Sequence, residues 1–312
     1  MLDRFLPAAM ALMLAAAPAS AADRLTVLLD WFVNPDHAPL VIAREGGYFE
    51  RHGLDVELIA PADPSAPPRL VAAGQGDVAI TYQPDLMLQL KEGLPLVRFG
   101  TLIETPLNAL IVLEDGPVKS LADLKGKKIG YSVASIQSAY LSGMLDTVGL
   151  TMDDVEMVNV NFNLVTALLA GQVDAAIDGY RNFELTQLRI EAKPGVAFYP
   201  EEHGVPIYDE LIYVTRPDLA ADSRLPRFLA AIEEATVFIT NHPEEAKAMF
   251  MKSHVDLDDE LNRVAFDLTL PRFAKRPAAL DAGRYDRFAE FLKAKGLLDT
   301  VPPVESYTVV VR

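Results

Sequence analysis

Residues suited to holding a flat, hydrogen-bonding ligand recur where this chain leaves its strand-like runs. Trp31, Asn34 and His37 follow Leu28-Leu29-Asp30, and Tyr82 and Gln83 follow the run at 77–81. Asn108 precedes the run at 109–113, and Tyr131 and Ser132 close the one at 129–132. Asn161 and Asn163 come after 155–160, and Tyr180, Asn182 and Glu184 after 173–177. Aromatic faces stack on a planar ring, while amides and a carboxylate match a heterocycle carrying both N–H donors and ring acceptors. Glu184 is suited to accept from an exocyclic amine or to pair with a protonated ring nitrogen. Tyr180 and Glu184 lie four apart, so on a helical turn they share a face. Trp31 is the single tryptophan of 312 residues; it reads either as an aromatic wall for a ligand or as a plug that, with Phe32, closes the domain. Core packing for Tyr180 and a solvated helix face for Glu184 are the plain alternatives.

Other chemistries lack their residues. The five histidines, His37, His52, His203, His242 and His254, have no second ligand at metal spacing. No Gly-x-Ser-x-Gly elbow, phosphate-binding loop or Gly-x-Gly-x-x-Gly follows a strand. Asp258-Asp259-Glu260 and Glu244-Glu245 sit at helix starts, where acidic groups complement the helix dipole. No metal and no cofactor is expected.

The elements that must position the site alternate between strand and helix. Strand runs at 25–29, 53–59, 77–81, 97–101 and 109–113 enclose helices at 38–50, 69–73 and 84–92. Pro61 to Pro68, with four prolines in eight residues, reads as a loop. A second series has strands at 129–132, 155–160, 173–177, 196–199 and 210–215, with helices at 121–125, 139–147, 164–170 and 183–192. Beyond Pro217 the pattern is mostly helical, at 225–240, 243–251, 258–270 and 282–295. Such alternation predicts parallel sheets with helices on their faces, and ligands bind at the carboxyl ends of strands in open sheets of this kind.

An internal repeat sets the architecture. Ala73-Gly74-Gln75-Gly76-Asp77-Val78-Ala79-Ile80 matches Ala170-Gly171-Gln172-Val173-Asp174-Ala175-Ala176-Ile177 at six of eight positions, 97 residues apart. Each copy is a glycine-ended helix, a tight turn and a strand. The spacing is too long for a solenoid and fits two similar α/β lobes whose strand ends face one another across a cleft.

Composition bounds the partners. A net charge of −16 disfavours nucleic acid and anionic membrane surfaces. The absence of cysteine excludes disulfides, thiolate metal sites, a cysteine nucleophile and a lipid-anchored N-terminus. Residues 1–22 read as an export signal: a short n-region, an apolar stretch at 5–17, and small-residue cleavage sites between Ala19 and Ala22. The expected mature protein is periplasmic, soluble and monomeric.

Leu29-Asp30-Trp31-Phe32 with Asn34 and Asp36-His37, Gly47-Tyr48-Phe49, Tyr82-Gln83-Pro84-Asp85, Pro106-Leu107-Asn108, the Leu124-Lys125-Gly126-Lys127-Lys128-Ile129-Gly130-Tyr131 run and Gly179-Tyr180-Arg181-Asn182-Phe183-Glu184 together resemble the thiamine-pyrimidine-synthesis-like family. Most of its bacterial members are periplasmic substrate-binding proteins of ABC importers. The resemblance implies an α/β, type II periplasmic-binding-protein fold: two α/β lobes with a hinge and a ligand cleft between them. Residues 23–114 and 213–312 would form the first lobe and 115–212 the second, with crossings near 113–117 and 208–213. It also implies a thiamine pyrimidine precursor, formyl-aminopyrimidine or hydroxymethylpyrimidine, as ligand and an ABC permease as partner. Trp31, Tyr180 and Glu184 would be its contacts, followed by His37, Gln83 and Asn108. A sulfonate such as taurine is the alternative ligand, since sulfonate and taurine binders share the Leu-Lys-Gly-Lys-Lys-Ile-Gly run, and a riboflavin precursor is another, since its importers use the same scaffold. For the sulfonate, the Ser132 to Ser138 turn and Arg181 would supply donors. A fungal branch of the family makes the pyrimidine enzymatically with a Lys, a His and a cysteine-rich segment. Thr81 and Asp85 stand at the corresponding places and cysteine is absent, so no enzymatic activity is expected.

Overall fold

The computed structural model describes residues 22–133 and 136–311; the expected export signal lies outside them apart from its last residue. Strands in chain order are β1 (Asp23–Leu28), β2 (Leu54–Ile59), β3 (Val78–Thr81), β4 (Val97–Ile103), β5 (Asn108–Leu113), β6 (Lys128–Tyr131), β7 (Glu156–Asn159), β8 (Ala175–Tyr180), β9 (Gly195–Phe198) and β10 (Leu211–Thr215). Helices follow the same alternation: α1 (Ala38–Glu45), α2 (Tyr48–Arg51), α3 (Pro67–Ala72), α4 (Gln83–Lys91), α5 (Ile136–Asp146), α6 (Leu164–Leu169) and α7 (Glu184–Ile190). The C-terminal part adds α8 (Arg224–Asn241), α9 (Pro243–Ser253), α10 (Glu260–Thr269) and α11 (Ala282–Ala294).

The strands form two five-stranded sheets, ordered β2-β1-β3-β10-β4 and β7-β6-β8-β5-β9. Replacing each of β1–β4 by its counterpart in β6–β9, and β10 by β5, turns one order into the other. The repeated turns carry this symmetry in their hydrogen bonds. Asp77 Oδ2 accepts from Thr26 N at 2.9 Å, and Asp174 Oδ2 accepts from Lys128 N at 3.0 Å. Each aspartate thus ties the start of its strand to the neighbouring strand.

The sheets are mixed, not parallel as the alternation suggests. β10 runs antiparallel to β3 and β4, and β5 antiparallel to β8 and β9. Both are the strands that cross between lobes, so each enters its sheet from the opposite end. β5 already pairs in the second sheet, so the crossing expected at 113–117 comes one strand earlier, at 104–107. The return crossing lies between β9 and β10. The helix expected at 38–50 is broken into α1 and α2 at Gly46-Gly47, where Gly47 is left-handed at φ 68°. Pro67 and Pro68 open α3 instead of ending a loop, because proline is tolerated in the first turn of a helix.

Central strands β3 and β10 are buried along their whole length, as apolar runs covered on both faces require. α8 buries Leu225, Phe228, Leu229, Ile232, Ala235 and Ile239 at helical spacing and packs on α1 and α2. At the return crossing Tyr208 stacks on Tyr140 of α5 at 4.9 Å and meets Phe288 of α11 edge-on at 5.5 Å. The hydrophobic core therefore continues beneath the hinge.

Candidate functional site

β1 ends at Leu28, and the chain turns through a buried hydrogen-bonded knot. Asn34 Oδ1 accepts from Asp36 N at 2.8 Å, and Asn34 N donates to His37 Nδ1 at 3.3 Å. With Nδ1 accepting, the imidazole proton sits on Nε2, 3.0 Å from Asp30 Oδ1. Tyr82, at the exit of β3, donates its hydroxyl to Asp30 Oδ2 at 2.9 Å. Both oxygens of Asp30 are thus engaged by the first lobe itself, and the short turn fixes Trp31 and His37 relative to one another.

The second lobe supplies the facing wall. Asp178 adopts φ 72° within β8, beside a register irregularity in its pairing with β5. Its Oδ2 accepts from Ser132 N and Val133 N at 3.0 and 3.1 Å, and Asn108 Nδ2 lies 3.4 Å from Oδ1. The irregularity lets β8 continue to Tyr180. Tyr180 N donates to Glu184 Oε2 at 2.7 Å, fixing the carboxylate at the first turn of α7. Tyr180 Oη reaches Glu210 Oε1 at 3.3 Å. Glu210 stands on the return crossing and accepts from Leu107 N at the end of the outgoing one and from Asn108 N at the start of β5, so a single buried carboxylate clasps the two crossings beneath the cavity.

Asp30, Trp31, Asn34, Asp36, His37, Tyr82, Asn108, Ser132, Val133, Asp178, Tyr180, Phe183 and Glu184 enclose a cavity with about 480 Å³ free of protein atoms, counting its mouth. Trp31 meets Phe162 of the opposite lobe edge-on at 4.5 Å, and Phe32 lies 5.8 Å from Phe183, so aromatic rings close the entrance from both sides.

Charge is one-sided. Burial pushes Asp36 and Asp178 up to about 6, and Glu184 and Glu210 up to about 7. No Lys or Arg lines the cavity among the described residues. The near candidate, Arg181, is held 2.7 Å from Glu201, bonds the carbonyls of Leu107 and Asn108, and lies over the Tyr199 ring. Among the described residues, Glu184 is met by backbone amides, those of Tyr180 and of itself. Among the described residues no group of three His, Asp or Glu is placed to hold a metal ion.

Eight of the residues singled out from the sequence line this cavity: Trp31, Asn34, His37, Tyr82, Asn108, Ser132, Tyr180 and Glu184. Five do not. Gln83 is buried behind the wall, where its Oε1 accepts from Asp209 N at 2.8 Å. Tyr131 ends β6 outside the lining. Asn161 and Asn163 are exposed, and the residue between them, Phe162, is the one that reaches Trp31. Asn182 turns away to bond Asp36 and Thr269. Tyr180 and Glu184 share no helix, since Tyr180 ends β8 and Glu184 begins α7; the backbone bond described above joins them instead. Asp30, Asp36, Val133, Asp178 and Phe183 complete the lining. An aspartate closing an apolar run, as Asp30 closes Leu28-Leu29 and Asp178 closes Ala175-Ala176-Ile177, was the available signal. Asp36, beside a proline, has the pattern of an ordinary turn residue.

A family model described as NMT1/THI5 like matches residues 34–246. The chain is 48% identical to a Haemophilus influenzae protein named for thiamine biosynthesis, over 98% of each chain. It is 32% identical to the formylaminopyrimidine-binding protein of Halalkalibacterium halodurans, over 72% of this chain and 69% of that one. Among solved structures, the alkanesulfonate-binding protein SsuA of Xanthomonas axonopodis pv. citri, bound to MOPS, superposes with a TM-score of 0.75 at 16% identity, covering 93% of this chain and 99% of that one. At that identity the likeness gives the fold, which is the type II periplasmic-binding-protein fold with its cleft between two α/β lobes.

Proposed function

The chain belongs to the NMT1/THI5-like family, and from that premise we propose that it binds an aminopyrimidine precursor of thiamine, of the formyl-aminopyrimidine or hydroxymethylpyrimidine type. In this reading it works in the periplasm as a monomeric solute-binding protein and delivers the pyrimidine to an ABC importer. The observation that carries the ligand class is the cavity wall: four carboxylates and aromatic rings, with no Lys or Arg among its described residues. A ring bearing an amine and a protonatable nitrogen supplies the cationic donor such a wall lacks, and charge-assisted bonds of this kind contribute about 1.5–3 kcal/mol each. The name of the Halalkalibacterium halodurans relative supports the same class.

The sulfonate alternative needs free donors; residues 134 and 135 of the Ser132 to Ser138 turn lie outside the described residues, and the described donors that open the turn are engaged. Ser132 N and Val133 N are bonded to Asp178, and Arg181 is paired with Glu201. An anion would also meet Glu184 at close range. Catalysis is not part of the proposal: Thr81 and Asp85 are hydrogen-bonded to each other at 3.1 Å behind the cavity lining, where they hold the start of α4.

A thermal-unfolding screen over small metabolites tests the reading. An aminopyrimidine at about 100 times its Kd should add about 2.7 kcal/mol; stabilisation by taurine or a flavin precursor, with none from the pyrimidines, contradicts it. Mass spectrometry of exported protein should find an N-terminus near Ala22, and an intact Met1 on the secreted chain would exclude cleavage of the export signal.

A further inference from the structure

Asp36 occupies a place that neither lobe explains alone. Its carboxylate is 2% exposed and lines the cavity. Asn182, on the turn between β8 and α7 of the second lobe, directs Nδ2 to Asp36 Oδ1 at 2.6 Å and to Thr269 Oγ1 at 2.7 Å. The Thr269 hydroxyl lies 2.9 Å from the same Asp36 oxygen. Asn182 and Thr269 are 1% and 0% exposed. Thr269 ends α10, a helix that packs against both the Pro35–His37 turn and α7. This polar node therefore joins the two lobes directly, away from the crossings.

The other oxygen of the same carboxylate, Oδ2, is buried without a hydrogen-bond partner among the described residues. A buried acceptor left unpaired is costly, and here it belongs to a side chain on the cavity wall. We propose that Asp36 is where ligand occupancy and lobe closure meet: Oδ1 locks the lobes through Asn182 and Thr269, while Oδ2 accepts a hydrogen bond from the ligand. The ligand half of this assignment rests on the reading that the cleft takes a donor-bearing aminopyrimidine; the lock half does not.

The two halves separate in two variants. Asn182→Ala removes the donor that spans the lobes and leaves Asp36 in the wall. Asp36→Asn keeps an oxygen for Asn182 but turns an N–H₂ toward the ligand. Because the chain has no cysteine, spin labels at Lys125→Cys in the second lobe and Asp299→Cys beside α4 are unique, and both sites are exposed. Pulsed electron–electron distance measurement then reads closed and open populations. Asn182→Ala should lower the ligand-free closed-to-open ratio about tenfold, the loss expected for one charge-assisted bond. Asp36→Asn, which keeps an acceptor for Asn182 but loses the charge assistance, should lower that ratio less than Asn182→Ala does and weaken aminopyrimidine binding about tenfold. Circular dichroism confirms that each variant is folded. Unchanged distance distributions in Asn182→Ala overturn the lock. Unchanged affinity in Asp36→Asn, with the wild type binding, overturns the ligand oxygen. A wild type that binds no pyrimidine overturns the ligand half together with the proposed function, while the ligand-free distances still decide the lock.

Discussion

In the first lobe β3 stops at Thr81 and α4 begins at Gln83; in the second, β8 runs on to Tyr180 before α7 begins at Glu184. Up to Ile80 and Ile177 the two copies are near duplicates, with Asp77 and Asp174 making the same strand-tying bond. Past that point they part. Thr81 bonds to Asp85 inside its own lobe, whereas its counterpart Asp178 takes a left-handed backbone and presents its carboxylate to the cavity. The duplicated residues build the scaffold and the divergent ones build the site. Tyr82 keeps a foot in both, since its hydroxyl leaves the β3 exit to hold Asp30.

The largest expected effect comes from the charge that this divergence buries. Glu184 has a folded value near 7 against an ordinary value of 4.5, raised by burial. A raised carboxylate stabilises the fold fully below its unfolded value, and that contribution is lost as pH climbs through the folded one. The ligand-free protein should therefore lose stability between about pH 4.5 and 7. Glu184's share has a ceiling of about 3 kcal/mol at 1.36 kcal/mol per unit. Urea unfolding at pH 5 and pH 8 measures the slope, and Glu184→Gln should flatten it; an unchanged slope would place the titration elsewhere, in Glu210 or Asp178.

Gly179 sharpens the contrast next. A Cβ there would stand 2.5 Å from Ile111 Cδ1, in the segment that carries β8 past the end reached by β3. Gly179→Ala should cost about 1–3 kcal/mol, as overpacking does, and should also displace Tyr180 and weaken binding. Denaturant melts paired with ligand titration show whether both losses occur together.

Trp31→Ala follows, opening the aromatic entrance it shares with Phe162. About 0.5–1.5 kcal/mol of aromatic contact corresponds to roughly two- to twelvefold in affinity, read by titration at constant melting temperature.

The scaffold pair gives the smallest effect on binding. Asp77→Asn and Asp174→Asn should each destabilise by about 0.5–1.5 kcal/mol. Asp77→Asn should cost more, because Asp77 also pairs with the half-buried Arg224 at 3.1 Å. Neither should change affinity, and a binding defect in either would break the division between scaffold and site.

Much of this was legible in the residues. Apolar runs and glycine ends located nearly every element, and the eight-residue repeat foretold two lobes of one topology. The direction of β5 and β10 was not, because an isolated strand carries no mark of the sheet edge from which it enters. Residues lining the candidate cavity were legible where the type is unusual, as at Trp31 and Glu184. They were misread where a polar side chain bonds protein instead of facing the cleft, as Asn182 does with Asp36. Phe162 was passed over for its neighbouring asparagines because strand-end amides look like ligand donors, and which of three consecutive residues faces inward depends on a backbone turn, here the left-handed Asn161 at φ 52°.

The central claim is that the second lobe's buried carboxylate selects a donor-bearing pyrimidine. Calorimetric titration of the wild type and Glu184→Gln with an aminopyrimidine and with taurine tests it most directly. The wild type should bind the pyrimidine and give no heat with taurine, and Glu184→Gln should weaken pyrimidine binding about tenfold or more, at 1.4 kcal/mol per factor of ten. Taurine binding to Glu184→Gln as well as or better than to the wild type, with no pyrimidine heat from either, would contradict the account.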